Sequence, residues 1–429
     1  MKFVSTGGSE IKLGFKESVR SGLAPDGGLL MPEFIPSLRP DMVRNILSLS
    51  DHDLAFALLT PFVKEDLEVD ELHAIIDHTF QFEIPLKRIG QSDIHVLELF
   101  HGPTWAFKDV GARFLAGCLS TWSREEQGIN ILVATSGDTG GAVANGFYNQ
   151  PGTNVIILYP EGKVSPLQEQ QIAGLGGNIK AIRVAGSFDD CQALVKQAFA
   201  DIELRKKISL TSANSINVAR WLPQMVYYAF ALKEAIRQNV EFIFSVPSGN
   251  YGNITAGLLL HCMGIRAEKF IASHNANDTV PRLLKNGIYE PHKTISTFAN
   301  AMDVSDPSNF LRLQYLWDKY PSVIDDHFTA ESISDSYILE SILQCWNEHE
   351  YLIDPHTATA WKALQDDGGK GIVLATAHPY KFEDIIIKAL GSYPDTWKKE
   401  WQPGIIERVD IDVDYGRLKE LLIDLSPAS

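Results

Sequence analysis

From about residue 91 the chain predicts two doubly wound α/β domains facing each other across a ligand cleft, preceded by an N-terminal subdomain of mixed or helical character. Three observations predict this. Apolar, strand-like runs alternate with helical stretches, the pattern of parallel sheets covered by helices on both faces. Glycine-rich segments follow several of those runs directly, where βα turns collect at the carboxyl ends of strands. At 429 residues, 45% hydrophobic and 21% charged, the chain is long enough for two or three domains and has the balance of a soluble globular protein. The expected division is 1–90 for the N-terminal subdomain, 91–235 for a smaller α/β domain and 236–429 for a larger one.

Residues 1–90 carry helical patterns broken at Pro25-Asp-Gly-Gly28 and by prolines between Pro32 and Pro40, with no chemistry of their own. Strands are expected at Ile94–Phe100, Asn130–Ala134, Val155–Tyr159, Ile179–Val184, Phe242–Val246, Phe270–Ala272 and Ile372–Thr376. Helical layers fill the strandless intervals from about Val218 to Gln238, where Pro223 is tolerable only near the start, and from about Glu331 to Leu364. The stretch from about Pro394 is less distinctive.

The first turn, His101-Gly-Pro-Thr-Trp-Ala-Phe-Lys-Asp-Val-Gly-Ala-Arg113, precedes the helical repeat of Phe114, Leu115, Cys118 and Leu119. It puts Lys108 on a βα turn beside Trp105 and Phe107. Partial desolvation there lowers an ammonium pKa and favours the neutral amine that adds to an aldehyde. A solvated loop lysine is the competing reading.

Thr135-Ser-Gly-Asp-Thr-Gly-Gly141 comes next, after the strand Asn130–Ala134. The hydroxyls of Thr135, Ser136 and Thr139 join backbone donors at a helix start, a set suited to a carboxylate, with Asp138 expected to point away and brace the loop. A capped helix start without a ligand is the alternative. Pro247-Ser-Gly-Asn-Tyr-Gly-Asn253 repeats the strand, turn and helix arrangement. Gly249 and Gly252 permit close backbone approach, and the helix N-terminus favours an anion. No Gly-Lys-Ser/Thr follows and the spacing is not Gly-x-Gly-x-x-Gly, so a phosphate monoester suits it better than a nucleotide. A structural turn held by Asn250 and Asn253 is equally compatible. The last strand ends in Thr376, followed by Ala-His-Pro-Tyr-Lys-Phe382. Facing a pyridine nitrogen, its hydroxyl would leave that nitrogen largely unprotonated; otherwise Thr376 is a helix N-cap.

A lysine on a βα turn, a non-nucleotide phosphate loop and a strand-end hydroxyl together resemble the pyridoxal-phosphate enzymes of the tryptophan-synthase-β type, or fold type II. Within them the chain is similar to the threonine synthase family. The segments carrying the resemblance are His101–Asp109, Thr135–Gly140, Tyr159–Gln168, Ser212–Arg220, Val246–Asn253 and Ala375–Phe382, in the family's order and up to about residue 390. Tyr251 stands where the family often has phenylalanine. The resemblance implies that pyridoxal 5'-phosphate is carried on Lys108 as a Schiff base, that Gly249, Asn250, Tyr251, Gly252 and Asn253 hold its phosphate, and that Thr376 meets the ring nitrogen. It further implies that Thr135, Ser136 and Thr139 grip the substrate carboxylate. Asn214, Ser215 and Arg220, with Lys163 as a further candidate, would meet the phosphate of O-phospho-L-homoserine, since a planar guanidinium suits a phosphate dianion. Arg220 read without the resemblance is a helix-face arginine. The implied reaction is a carbon–oxygen lyase sequence in which Lys108, displaced by the substrate amine, takes the Cα proton, phosphate leaves Cγ and water adds at Cβ to give L-threonine. A related lyase releasing a 2-oxo acid would share the cofactor residues, and a non-catalytic cofactor-binding protein is a more distant reading.

A net charge of −16 argues against nucleic-acid binding, so an anionic substrate must meet a local basic pocket. Cys118, Cys191, Cys262 and Cys345 show no metal or disulfide spacing and read as reduced core thiols, with no metal site expected. Met1 to Leu30 has no apolar signal core and no run of 18 apolar residues occurs, so a cytoplasmic protein, not membrane-bound, monomeric or a small homo-oligomer, is expected.

Overall fold

A computed structural model of the chain describes residues 1–123 and 128–425. In the N-terminal region β1 (Phe3–Ser5) pairs antiparallel with β2 (Leu30–Pro32). There follow β3 (Leu86–Arg88), β4 (Asp93–Glu98), β5 (Ile129–Ala134), β6 (Thr153–Pro160), β7 (Ile179–Val184) and β8 (Leu210–Ser212). The remaining strands are β9 (Ile243–Pro247), β10 (Lys269–His274), β11 (Phe328–Ser332), β12 (Lys370–Ala375) and β13 (Arg408–Ile411). One sheet has the order β11-β10-β9-β12-β4-β3, parallel except for the antiparallel edge strand β3. The other, β13-β7-β6-β5-β8, is parallel throughout. The architecture is the expected α/β one. β5 and β6 are buried at every residue, as the apolar runs Ile131–Val133 and Val155–Leu158 between two helical layers require.

The sheets do not follow the contiguous boundaries expected at 90/91 and 235/236. β3 and β4 join the six-stranded sheet through the register Ile94 with Gly371 and Val96 with Val373, whereas β13 returns from the far end of the chain to pair with β7. Pairing register across hundreds of residues, not chain order, assigns a strand to its sheet. The less distinctive C-terminal stretch thus completes the five-stranded sheet with β13 and the helix Tyr415–Asp424.

Two helical expectations are revised as well. The stretch from Val218 splits into Val218–Trp221 and Gln224–Gln238, because Pro223 has no N–H to continue the first piece and instead starts the second. The interval from Glu331 begins inside β11, and its two helices, Asp335–His349 and Pro355–Asp366, are separated where the Asp354 carboxylate caps the second by accepting from the N–H groups of His356 and Thr357. The N-terminal region is more than a cover. Val19 O accepts from Thr211 Oγ1 (3.2 Å) and Asn217 Nδ2 (2.8 Å), which ties it to the segment after β8. No helix among the described residues is long and apolar enough to cross a membrane.

Candidate active site

The ends of β4 and β12 are stitched together just before Lys108. Leu99 N–H donates to Ala375 O (3.0 Å), Phe107 N–H to Thr376 O (2.9 Å) and His378 N–H to Trp105 O (3.0 Å). Trp105 takes a positive φ of 60°, and Asp109 accepts from the Thr104 N–H (2.9 Å) and hydroxyl (2.5 Å), which turns the chain into the helix Lys108–Ser123. Lys108 is therefore the first helical residue, next to Thr376 across these backbone bonds.

The Lys108 side chain is 20% exposed, with Nζ 4.7 Å from the Phe107 ring centroid and 3.9 Å from Asp138 Oδ2. Burial lowers its pKa; Asp138 opposes that, and the cations Lys381 and Arg220 reinforce it. Asp138 does not point away as expected, since Oδ1 accepts from Lys381 Nζ (2.8 Å) and Gln168 Nε2 (3.0 Å). Burial alone would raise its carboxyl, but Lys381 and Lys108 hold it well below the usual carboxylate range. Lys381 is wholly buried and spends its other donors on Thr104 O (2.7 Å) and Gln171 Oε1 (3.1 Å). It joins three segments at the lysine, and only its place in the motif after Thr376 could have singled it out.

Thr135 is corrected. Its hydroxyl accepts from the N–H groups of Gly137 (3.0 Å) and Gly140 (2.8 Å) and lies buried, so it shapes the loop from within. Ser136 is exposed and Thr139 half-buried at the start of the helix Asp138–Phe147, which leaves these two hydroxyls and the first helical N–H groups for a ligand.

In the loop after β9, Gly249 is demanded by packing, because an added Cβ would sit 2.6 Å from Met302 Cα. Asn250 uses both ends of its amide within the protein, donating from Nδ2 to Ser215 Oγ (2.7 Å) and accepting at Oδ1 from Ser308 N–H (2.7 Å), which leaves one N–H to donate. The buried Tyr251, at φ 63°, donates its hydroxyl to His274 Nε2 (2.6 Å). These two side chains brace the loop and leave its backbone N–H groups, with the second Asn250 N–H, to a ligand. Asn253 Oδ1 accepts from Tyr227 (2.8 Å) and Tyr228 (2.7 Å), while its buried Nδ2 has no partner. Gly252 opens the helix Gly252–Cys262, and a Cβ there would meet nothing nearer than 3.5 Å. Thr376 is buried but is no cap: the His378 side chain accepts from Tyr380 N–H and caps the turn Pro379–Phe382.

On the third side, Arg220 is 3% exposed, its Nη1 donates to Ala213 O, and Nε is buried without a partner. Burial pushes its pKa down to about 10. It packs on the lysine's helix, since a Cβ at Gly111 would lie 2.6 Å from Arg220 O. Asn214 Oδ1 is likewise buried and unpartnered, and Ser215 Oγ receives Asn250. Lys163 is exposed in the turn after β6 and bonds to no other site residue among the described ones. Arg312, absent from the expected set, is wholly buried against residues 215 and 216. Its sequence signal is faint: a charge one turn before Leu316 on the apolar face of Phe310–Lys319.

With this geometry in hand, known proteins resemble the chain along its whole length. The family described as "Pyridoxal-phosphate dependent enzyme" matches residues 82–375, "Threonine synthase N terminus" matches 2–80 and "Threonine synthase, C-terminal" matches 356–408. A threonine synthase of Haemophilus influenzae is 43% identical over 96% of this chain and 97% of its own. The crystal structure of threonine synthase from Escherichia coli superposes with a TM-score of 0.90 at 37% identity, covering 99% of this chain and 100% of that one. The PLP-bound threonine synthase from Brucella melitensis gives 0.90 at 33% identity, covering all of both chains.

Proposed function

The chain belongs to the threonine synthase family of pyridoxal-phosphate-dependent enzymes, and from that premise we propose which residues perform the reaction and on what substrate. Its activity is that of a threonine synthase and its cofactor is pyridoxal phosphate. The substrate we assign is O-phospho-L-homoserine, converted with water to L-threonine and phosphate. We place it in the cytosol as a monomer or small homo-oligomer, a reducing setting compatible with its four free cysteines.

The residues fit the cofactor. The partnerless Nδ2 of Asn253 and the open face of Gly252 at a helix start suit its phosphate. Lys108 suits its aldehyde, and the uncapped hydroxyl of Thr376 its ring nitrogen. When bound, pyridoxal phosphate supplies an aldehyde for an amine and an electron-poor ring that acidifies the neighbouring carbons. Lys108 Nζ, whose pKa burial lowers toward the neutral form, is the amine for that aldehyde, and once released it is the base for the Cα proton. Ser136, Thr139 and the helix start at Asp138 orient the substrate carboxylate. The anion can approach because Lys381 already balances Asp138.

The observation that carries the choice of a phosphorylated substrate is Arg220, a buried guanidinium with a free Nε beside the helix of Lys108. Purified enzyme given O-phospho-L-homoserine is expected to release phosphate and L-threonine in equal amounts; phosphate with a 2-oxo acid instead would point to a lyase that stops short of hydration. Arg220→Leu is expected to raise KM for phosphohomoserine by about tenfold or more, the scale of a lost charge-assisted bond, with cofactor affinity unchanged. Unaltered KM and kcat would remove Arg220 from the site.

A further inference from the structure

Arg312 is an expensive residue to bury. Its side chain is wholly inaccessible, no carboxylate pairs with it among the described residues, and burial pushes its pKa down to about 9. Nη1 donates to Ser215 O (3.0 Å) and to Asn309 Oδ1, Nη2 donates to Ile216 O (2.7 Å), and the guanidinium stands 4.7 Å from the Trp221 ring centroid. Asn309, so held, donates from Nδ2 to Ser215 Oγ (3.3 Å), where Asn250 Nδ2 also donates (2.7 Å).

Ser215 Oγ thereby accepts twice. A hydroxyl has two lone pairs and one proton, so with both lone pairs engaged the proton is left to be donated outward. The same loop is bordered by Arg220, whose Nε is also unspent. Two buried guanidiniums without bonded carboxylates, in a chain of net charge −16, leave a local positive surplus that a dianion would complete.

We propose that Arg312 is a positioning residue for the substrate phosphate: through Ser215, Ile216 and Asn309 it fixes the loop so that the Ser215 hydroxyl proton is presented to that phosphate. This rests on the assignment of Ser215 and Arg220 to the substrate phosphate. Arg312 acts through the loop and supports binding of the phosphate rather than chemistry at Cα.

The test uses holoenzyme variants Arg312→Gln, Ser215→Ala and the double variant, measuring KM, kcat, competitive inhibition by inorganic phosphate and the absorbance of bound cofactor. Arg312→Gln is expected to raise KM and the inhibition constant for phosphate together by about tenfold, with kcat changed less than about threefold and the cofactor band intact. Because Arg312 works through Ser215, the double variant is expected to be little worse than Ser215→Ala alone. A normal Arg312→Gln enzyme, or effects that simply multiply in the double variant, would overturn the inference while leaving Ser215 in place. Normal KM and phosphate inhibition in Ser215→Ala would overturn the underlying assignment and the inference with it. Should Arg312→Gln fail to fold, Asn309→Ala removes the same hold on Ser215 and is expected to show the same joint rise.

Discussion

Lys108, Asp138 and Lys381 form a row of alternating charge in which the central carboxylate is shared. Asp138 lies 2.8 Å from Lys381 but 3.9 Å from Lys108, so its charge is spent mainly on Lys381. Lys381 thus weakens the pull by which Asp138 raises the Lys108 pKa. In Lys381→Met the whole carboxylate charge would fall to Lys108 and the opposing cation would vanish; both changes raise the Lys108 pKa. The released amine would then act as a base only at higher pH, and the acidic limb of kcat, which reports the substrate-bound enzyme, is expected to move to higher pH. A pH–rate profile checks it, and an unmoved limb in a folded variant would show that Lys381 only fills space. Residue type and motif singled out Lys108, Thr376 and Arg220 in the sequence, and all three are mostly or wholly buried in the fold. The partner of Asp138 was not legible there, because a buried ion pair joins segments that no local pattern relates.

Elements meet the site through close backbone approaches. Gly249 lies where the turn after β9 touches the short helix Asn300–Met302, and its missing side chain is the condition for that contact. Gly249→Ala is expected to cost about 1–3 kcal/mol, the usual penalty for overpacking, and to weaken cofactor binding as the loop shifts. Denaturant midpoints with and without pyridoxal phosphate would show it, and an unchanged midpoint in both would mean that Met302 moves freely. The alternation of strands and helices predicted most elements. β1, β2, β3, β8 and β13 escaped because each is three or four residues long, too short for periodicity to register, and the five-residue β11 escaped because its end lies in an interval that reads as helical.

At the scale of the whole molecule, burial most strongly disfavours the charged form of three histidines, one at the site's edge and two in the larger sheet's layers. Burial lowers the pKa of His261 and His274 to about 4 and of His378 to about 3, against 6.5 for a free imidazole. Between those values the unfolded chain binds protons that the folded one refuses. The stability concerned is therefore complete above pH 6.5 and is lost as pH falls toward 4, at about 1.4 kcal/mol per pH unit for each residue within the window. Thermal melts of the holoenzyme are expected to show a steady fall in Tm from pH 7 to pH 5, and a flat Tm there would mean that the imidazoles gain protons without unfolding.

By itself the sequence determined the α/β class, the three glycine-rich or hydroxyl-bearing turns and the place of Lys108 at a strand-to-helix turn, because hydrophobic period, turn chemistry and residue type are local properties. Tertiary structure alone decided which sheet each strand joined, that the Thr135 hydroxyl and the Asn250 carbonyl are spent inside the protein, and that Lys381 bonds to Asp138 and Arg312 to the backbone of residues 215 and 216. Those outcomes depend on register and on which buried polar groups find partners across long sequence distances, and such pairing is settled only when the chain has packed.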